Sequence, residues 1–326
     1  AGKACNAMAM AVEEVLGDRL TDGVIIVKIS EPTDHFKRSR VFVGGHPLPN
    51  EEGLRACHEI LQLVDHASAD DLFIVVISGG SSALMSCPVD GLSLQDEIVT
   101  TDVLLKAGIG IQDLNAVRRH ISQLNGGMLA KRIEARGAEL IGFGISDAVG
   151  KPQTEDISIP RPDYHGTPIG PDETTFDDAR RVIRITHTED LLPKPVVDYI
   201  KNGSADQETP KSFPQNTYFL INTLPDSCKI AEQVAREMGL NAVTLTTFLE
   251  GESREAGMFF ASLAREIQTN SRPFSAPCVI LAAGETTTKI SDNAEIRGHG
   301  GPSHELVAAF ALAASKVPGA CMLSID

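Results

Sequence analysis

The sequence predicts an α/β protein of two domains, each built on a mostly parallel sheet covered by helices. Three observations carry this expectation. Short β-branched apolar runs recur along the chain, and each is followed by a helical pattern of about a dozen residues, the alternation that βαβ units produce. The runs are continuous rather than alternating, as in strands with both faces covered. Most end in a small cluster of Gly, Ser, Thr or Asp, at the carboxyl edge where open α/β sheets bind ligands.

The elements follow in order. Gly2-Lys3-Ala4 opens a helical pattern over 4–16. The turn from Gly44 to Gly53 holds His46 before Pro47, which favours an extended His46. It also places Asn50 to cap a helix starting near residue 52. The run 72–77 reads as a strand ending at Ser78-Gly79-Gly80-Ser81-Ser82. A polar-rich helical stretch over 113–122 carries Asn115, Arg118, Arg119 and His120 and runs into Asn125-Gly126-Gly127. A second strand over 138–145 ends at Ser146-Asp147. Residues 150–175, rich in Pro, Gly and Asp, read as a long loop, a feature that suggests function in a compact domain. The polar segment 202–215 is the expected domain boundary, giving domains 1–212 and 213–326. Beyond it, runs at 218–221, 242–245 and 278–283 read as strands. Helices are expected near 226–238, 253–268 and 306–316, the last behind a Gly-rich entry at 298–305.

Composition narrows the function. Apolar residues make up 42% of the chain and charged residues 22%, which suits globular cores. Trp is absent and aromatics are 5%, so those cores must be aliphatic. A formal net charge of −15 disfavours a nucleic-acid surface, because binding a phosphate backbone rests on Lys and Arg. The six cysteines have no C-x-x-C or zinc-like spacing, which points to reduced thiols in a cytoplasmic protein. No apolar run reaches transmembrane length and no signal peptide is evident. The chain begins without Met at the top of a helix and ends inside an apolar run, so a longer parent protein is expected.

Several segments can carry chemistry. In Ser78, Gly79, Gly80, Ser81 and Ser82, paired glycines let backbone N–H groups approach an anion, and two hydroxyls add donors. A plain glycine turn with a Ser cap accounts for the same residues. The pattern is neither a G-x-x-x-x-G-K-[ST] loop nor a hydrolase elbow. Lys3 stands at a helix start, where the dipole prefers anions. It either holds an anion or is a surface lysine. Arg118 and Arg119 cannot share one helix face: one reaches a phosphate or carboxylate while the other is solvated, or both are solvated. Asp147, Glu285 and Asp326 each follow a strand, where carboxylates ligate Mg²⁺ beside nucleotide phosphates or act as caps. Gly284-Glu285-Thr286-Thr287 and Gly300-Gly301 form further loops at strand and helix ends, which makes a two-sided anion site the expectation.

Taken in order, Gly2-Lys3-Ala4 with Met8-Ala9, Gly45-His46-Pro47-Leu48-Pro49, the 78–84 loop, the 115–122 helix, Ser146-Asp147 with Gly150, Gly284 to Thr287, and Gly300-Gly301 through Glu305 resemble the glycerate 2-kinase family. That family also carries hydroxypyruvate-reductase labels. The resemblance implies a Rossmann-like N-terminal domain and a MOFRL-like C-terminal domain, with the active site in the cleft between them. It implies ATP-dependent phosphorylation of glycerate, D-glycerate to 2-phosphoglycerate, with Mg²⁺. Lys3 matches the family lysine, and residues 78–82 match its Ser-Gly loop. Together with the reading above, this assigns Lys3, Arg118 and Asp147 to catalysis. Nucleotide falls to residues 78–82, Gly284, Glu285, Thr286, Gly300 and Gly301, and metal to Asp147, Glu285 and Asp326. The expected partners are a hydroxy acid and a nucleotide, with no nucleic acid or membrane, and a homodimer is left open.

Three departures stand out. Pro302-Ser303 replaces Arg-Asn, removing an arginine proposed as catalytic in such members. Asn125 replaces the lysine of K-G-G, and the loop after Asp147 is rewritten with Lys151-Pro152 and 157–171. Another cation, Arg118, Arg119 or His299, or a different substrate, is then expected. Two alternatives follow: a hydroxypyruvate reductase, disfavoured by the lack of G-x-G-x-x-G after a strand, and a catalytically weakened nucleotide- or anion-binding homologue.

Overall fold

A computed structural model describes residues 1–32, 35–151, 153–154, 156–161, 168–213, 217–289 and 300–325. The chain forms two compact units, Ala1–Ile145 with Asp156–Ile221, and Ser146–Glu155 with Asn222–Asp326. The contacts thus change hands at Ile221, within a strand, and the segment after Ile145 groups with the C-terminal unit.

The N-terminal unit contains β1 (Gly23–Val27), β2 (Ser39–Val43), β3 (Leu72–Ile77), β4 (Glu139–Ile145) and β5 (Thr217–Asn222). Its helices are α1 (Cys5–Leu16), α2 (Glu51–Asp65), the single turn α3 (Ser81–Leu84), α4 (Leu94–Lys106), α5 (Ile111–His120), α6 (Met128–Ala135), α7 (Phe176–Thr186) and α8 (Lys194–Asn202). β1 and β2 pair in parallel, from Gly23 opposite Ser39 to Val27 opposite Val43. β3 and β4 pair in parallel from Leu72 opposite Glu139 to Ile77 opposite Gly144, with β5 beside β4. The first two residues join the sheet ends. The backbone nitrogen of Ala1 donates to Val76 O at 2.8 Å and Gly2 N–H to Ile26 O at 3.2 Å, so α1 starts at the carboxyl ends of β1 and β3.

Local chemistry starts several helices. Asn50 Oδ1 accepts from Gly53 N–H at 2.8 Å, the expected cap of α2. Ser93 with Asp96 and Thr175 with Asp178 form reciprocal capping boxes on α4 and α7. Such caps are worth about 1 kcal/mol each. Ile26, Leu84, Met85, Ile133 and Leu220 form the sheet-side core, joined by Phe42 and Tyr218. Leu104, Val117, Val182, Val196 and Ile200 form a second core among α4, α5, α7 and α8.

The C-terminal unit contains β6 (Asn241–Leu249) and β7 (Cys278–Gly284) with α9 (Leu224–Glu237), α10 (Ser253–Asn270) and α11 (Pro302–Ala313). β6 and β7 pair in parallel, with register shifts between Thr244 and Thr246 and between Thr246 and Leu249. A capping box of Thr223 and Asp226 opens α9, and Asp226 also accepts from Thr154 N–H at 3.0 Å. Ala261, Phe310, Ala314 and Val317 fill the contact of α10 with the chain around α11.

The α/β class with parallel sheets is observed, with differences from expectation in individual elements and in burial. β1 and β2 were not anticipated, and α11 begins at Pro302 and ends before the expected 316. The strands are not covered on both faces throughout: Leu72 is 50% exposed and β7 is half-buried along its length. The described part of the C-terminal unit offers β7 a single pairing strand and few covering helices. The cysteines are unpaired and mostly buried, as expected: Cys5, Cys57, Cys87 and Cys228 are buried, Cys278 is half-buried and Cys321 is exposed. Among the described residues, no helix is long and apolar enough to cross a membrane.

Candidate functional site

The best-defined constellation lies where β3 ends. Ser78 is buried there, and Gly80 turns the chain into α3 with φ of +85°. The chain start is stitched onto this loop. Ser78 N–H donates to Ala1 O at 3.1 Å, Lys3 N–H to Gly79 O at 2.8 Å, and Ala4 N–H to Ser78 Oγ at 2.9 Å. Gly2 is required by the approach: a Cβ there would lie 2.1 Å from Ser78 Oγ. The two motifs read separately from sequence therefore form one surface, with the exposed Lys3 beside the loop.

A third segment joins them. A Cβ on Gly80 would lie 3.2 Å from Lys3 Cγ and 3.1 Å from His46 Cδ2. Sequence reasoning read His46 as part of a structural turn. Its G-H-P setting was visible, but its nearness to Gly80 follows from tertiary folding.

Arg118, on α5, is only 7% exposed and faces the charge of Glu97 on α4, itself 1% exposed. Burial pushes the Glu97 carboxyl up, against the Ser86 hydroxyl at 2.7 Å and the Arg118 charge. Burial likewise pulls the Arg118 guanidinium down, against the support of Glu97. Arg118 Nε and Nη2 find no partner among the described residues. Arg119 Nη1 donates to the fully buried Asp172 at 2.8 Å. The expectation that at least one arginine is solvated is thus corrected: Asp172 draws Arg119 inward, and Arg118 is buried facing the Glu97 charge with two of its nitrogens unpartnered among the described residues. His120 bridges Ala116 O at 2.6 Å and Glu208 Oε1 at 2.7 Å. Asn125, at the position of the expected lysine, donates through Nδ2 to Ser82 O at 3.2 Å and Met85 O at 3.3 Å, bracing α3.

The remaining candidates belong to the C-terminal unit. Asp147 is exposed on the chain beyond β4. Gly284, with φ of +156°, crosses β6 so closely that a Cβ would lie 2.0 Å from Leu249 O. Glu285 is exposed and its N–H donates to Leu249 O at 2.9 Å. Thr286 Oγ1 pairs with Ser253 Oγ at 2.9 Å, and Thr287 N–H donates to Gly251 O at 2.8 Å. The Gly-Glu-Thr-Thr loop is therefore laced to the start of α10. Gly301 precedes α11, and Gly300 is exposed before it. Asp326 and His299 lie outside the described residues. Among the described residues, no group of three or more His, Cys, Asp or Glu is placed to hold a metal.

Residues 1–201 match a family described as a domain of unknown function, DUF4147. Glycerate 2-kinase of Pyrococcus horikoshii is 37% identical over 308 residues, which cover 94% of this chain and 66% of that protein. D-Glycerate 2-kinase of Thermotoga maritima is 32% identical over 328 residues, covering 99% and 72% respectively. The crystal structure of glycerate kinase from Thermotoga maritima is similar with a TM-score of 0.74 at 33% identity, over 96% of this chain and 70% of that one. The chain thus spans roughly two thirds of the length of the relatives it matches.

Proposed function

This chain belongs to the glycerate 2-kinase family, matched as DUF4147, and on that premise we propose that it is an ATP-dependent kinase converting D-glycerate to 2-phosphoglycerate. The observation that supports this most is the placement of Lys3 against Gly80 in the loop after β3. A glycine there lets the Lys3 stem and His46 pack against the loop where a Cβ would crowd both, which brings a lysine to a Gly-Ser loop at a strand end. That combination supports a phosphate site.

In this reading the 78–82 loop holds phosphates through its backbone and hydroxyls. Lys3 neutralises charge on the transferring phosphoryl group, which passes from ATP to the substrate hydroxyl as ADP departs. Such transfer depends chiefly on positioning and charge. In the C-terminal unit, Glu285, Thr286, Gly300 and Gly301 are proposed as further nucleotide contacts. Mg²⁺ bound with nucleotide usually takes one or two protein carboxylates beside the phosphates. Asp147 and Glu285, both exposed, are the carboxylates proposed to supply such contacts.

The test is an ADP-release assay on the full chain with D-glycerate and its enantiomer, with the product identified by phosphorus NMR. ADP release dependent on D-glycerate, with 2-phosphoglycerate formed, is expected. NADPH oxidation by hydroxypyruvate without ADP release would make the chain a reductase instead. One observation favours a weakened homologue: Pro302, the first residue of α11, stands where an arginine is expected. Saturable ATP binding without turnover would establish that reading.

A further inference from the structure

The imidazole of His46 has no role in the reading above, yet its placement is specific. Its Cδ2 and Nε2 lie 3.1 and 3.3 Å from the point where a side chain on Gly80 would begin, and Lys3 Cγ lies 3.2 Å from the same point. Three segments converge there: the start of α1, the turn after β2 and the loop after β3. The backbone on either side of His46 is fixed. Gly44 N–H donates to Val27 O at 2.8 Å, and Asn50 Nδ2 donates to Val43 O at 3.1 Å while its Oδ1 caps α2. Gly45 has no room for a Cβ, which would lie 2.2 Å from Leu48 O. His46 is half-buried, Pro47 and Leu48 are exposed, and Pro49 is buried.

The two side chains flanking Gly80 offer different chemistry. A lysine ammonium donates and neutralises but has no lone pair to receive a proton, whereas neutral imidazole has one. The transfer reaction needs both functions. We propose that His46 is its proton acceptor. As the hydroxyl oxygen of the hydroxy acid bonds to the γ-phosphorus, the bond from that phosphorus to the ADP oxygen breaks. The hydroxyl proton passes to Nε2 of His46 and then to solvent. Lys3 meanwhile faces the phosphoryl oxygens. The proposal rests on the kinase reading.

The test compares the full chain with His46→Gln and His46→Ala by ADP release at saturating ATP and D-glycerate. Glutamine keeps a polar side chain of similar reach but has no ring nitrogen to take a proton. The expected result is a fall in kcat of roughly 10²-fold or more, with KM for ATP changed by less than about threefold. Added imidazole should restore turnover to His46→Ala in proportion to its concentration. A wild-type protein that releases no ADP with D-glycerate or another hydroxy acid overturns the kinase reading and this proposal with it. If the wild type turns over, the proposal alone is overturned by normal kcat in His46→Gln, by a raised KM with kcat preserved, or by a loss that imidazole does not restore. Matching thermal melts ensure that the variants are folded, and His46→Asn serves where either variant is not.

Discussion

Replacing Gly80 by Ala adds one methyl group to the floor of the proposed phosphate site. Two costs follow from the structure. The backbone φ of +85° lies in the left-handed region, which costs an L-residue about 1–2 kcal/mol. The new Cβ would stand 3.1 Å from His46 and 3.2 Å from the Lys3 stem, so both side chains must retreat by a few tenths of an ångström. Gly91 separates the two effects. Its φ of +90° imposes the same backbone cost, but nothing lies within 4 Å of its Cβ position. Both variants should melt lower by roughly 2–8 °C, the shift such an energy produces in domains of this size. Only Gly80→Ala should also weaken ATP and 2-phosphoglycerate binding by calorimetry, by about tenfold, the equivalent of 1.4 kcal/mol. Gly80→Val, with a branched side chain in the same space, should weaken it further. Equal affinities in wild type, Gly80→Ala and Gly91→Ala would refute the assignment of the 78–82 loop to phosphate.

Lys3→Ala keeps the main-chain bond from residue 3 to Gly79 O, so the fold should survive while kcat falls by roughly 10²-fold or more, as when a charge-stabilising donor is lost. Near-normal turnover would remove Lys3 from the site. Asp147→Asn, at an exposed position, should raise the Mg²⁺ concentration needed for half-maximal activity with the melt unchanged. An unaltered Mg²⁺ titration would make Asp147 a loop residue. Burial opposes the charge on Glu208, but bonds from Lys211, the Phe176 N–H and His120 outweigh it and hold its pKa at about 2, below the ordinary 4.5. A depressed carboxylate stabilises the fold above its unfolded pKa and loses that contribution as pH falls through the folded one. The difference in urea midpoint between wild type and Glu208→Gln should therefore be full above pH 4.5 and shrink toward pH 2. A pH-independent difference would show that Glu208 acts only through packing.

What was legible in the sequence was local. The run from Leu72 to Ile77 is apolar until two glycines stop it, and the strand ends there. Asn50 lies three residues before the N–H it caps. β1, Gly23–Val27, is as apolar as runs that were read as strands and was simply not read as one, whereas β2 is broken up by its own residues. Arg40 inside β2 and Lys37-Arg38 before it disguise the run. The arginines failed for a different reason. A helical pattern shows that Arg118 and Arg119 diverge but not what each meets, and Asp172, which draws Arg119 inward, is 53 residues away in sequence. Position 125 joins the two cases. The exchange of a family lysine for asparagine is plain in the sequence, but its consequence depends on the carbonyls of Ser82 and Met85, about forty residues earlier. There the amide supplies two donors where α3 ends. It supports the turn without placing a charge beneath it. In the proposed site the positive charge is that of Lys3, whose main chain is fixed by bonds between residues 1–4 and Ser78 and Gly79. A substitution read as a lost cation is, in the folded chain, an exchange of charge for support, and this makes Lys3 the side chain whose removal tests the site most directly.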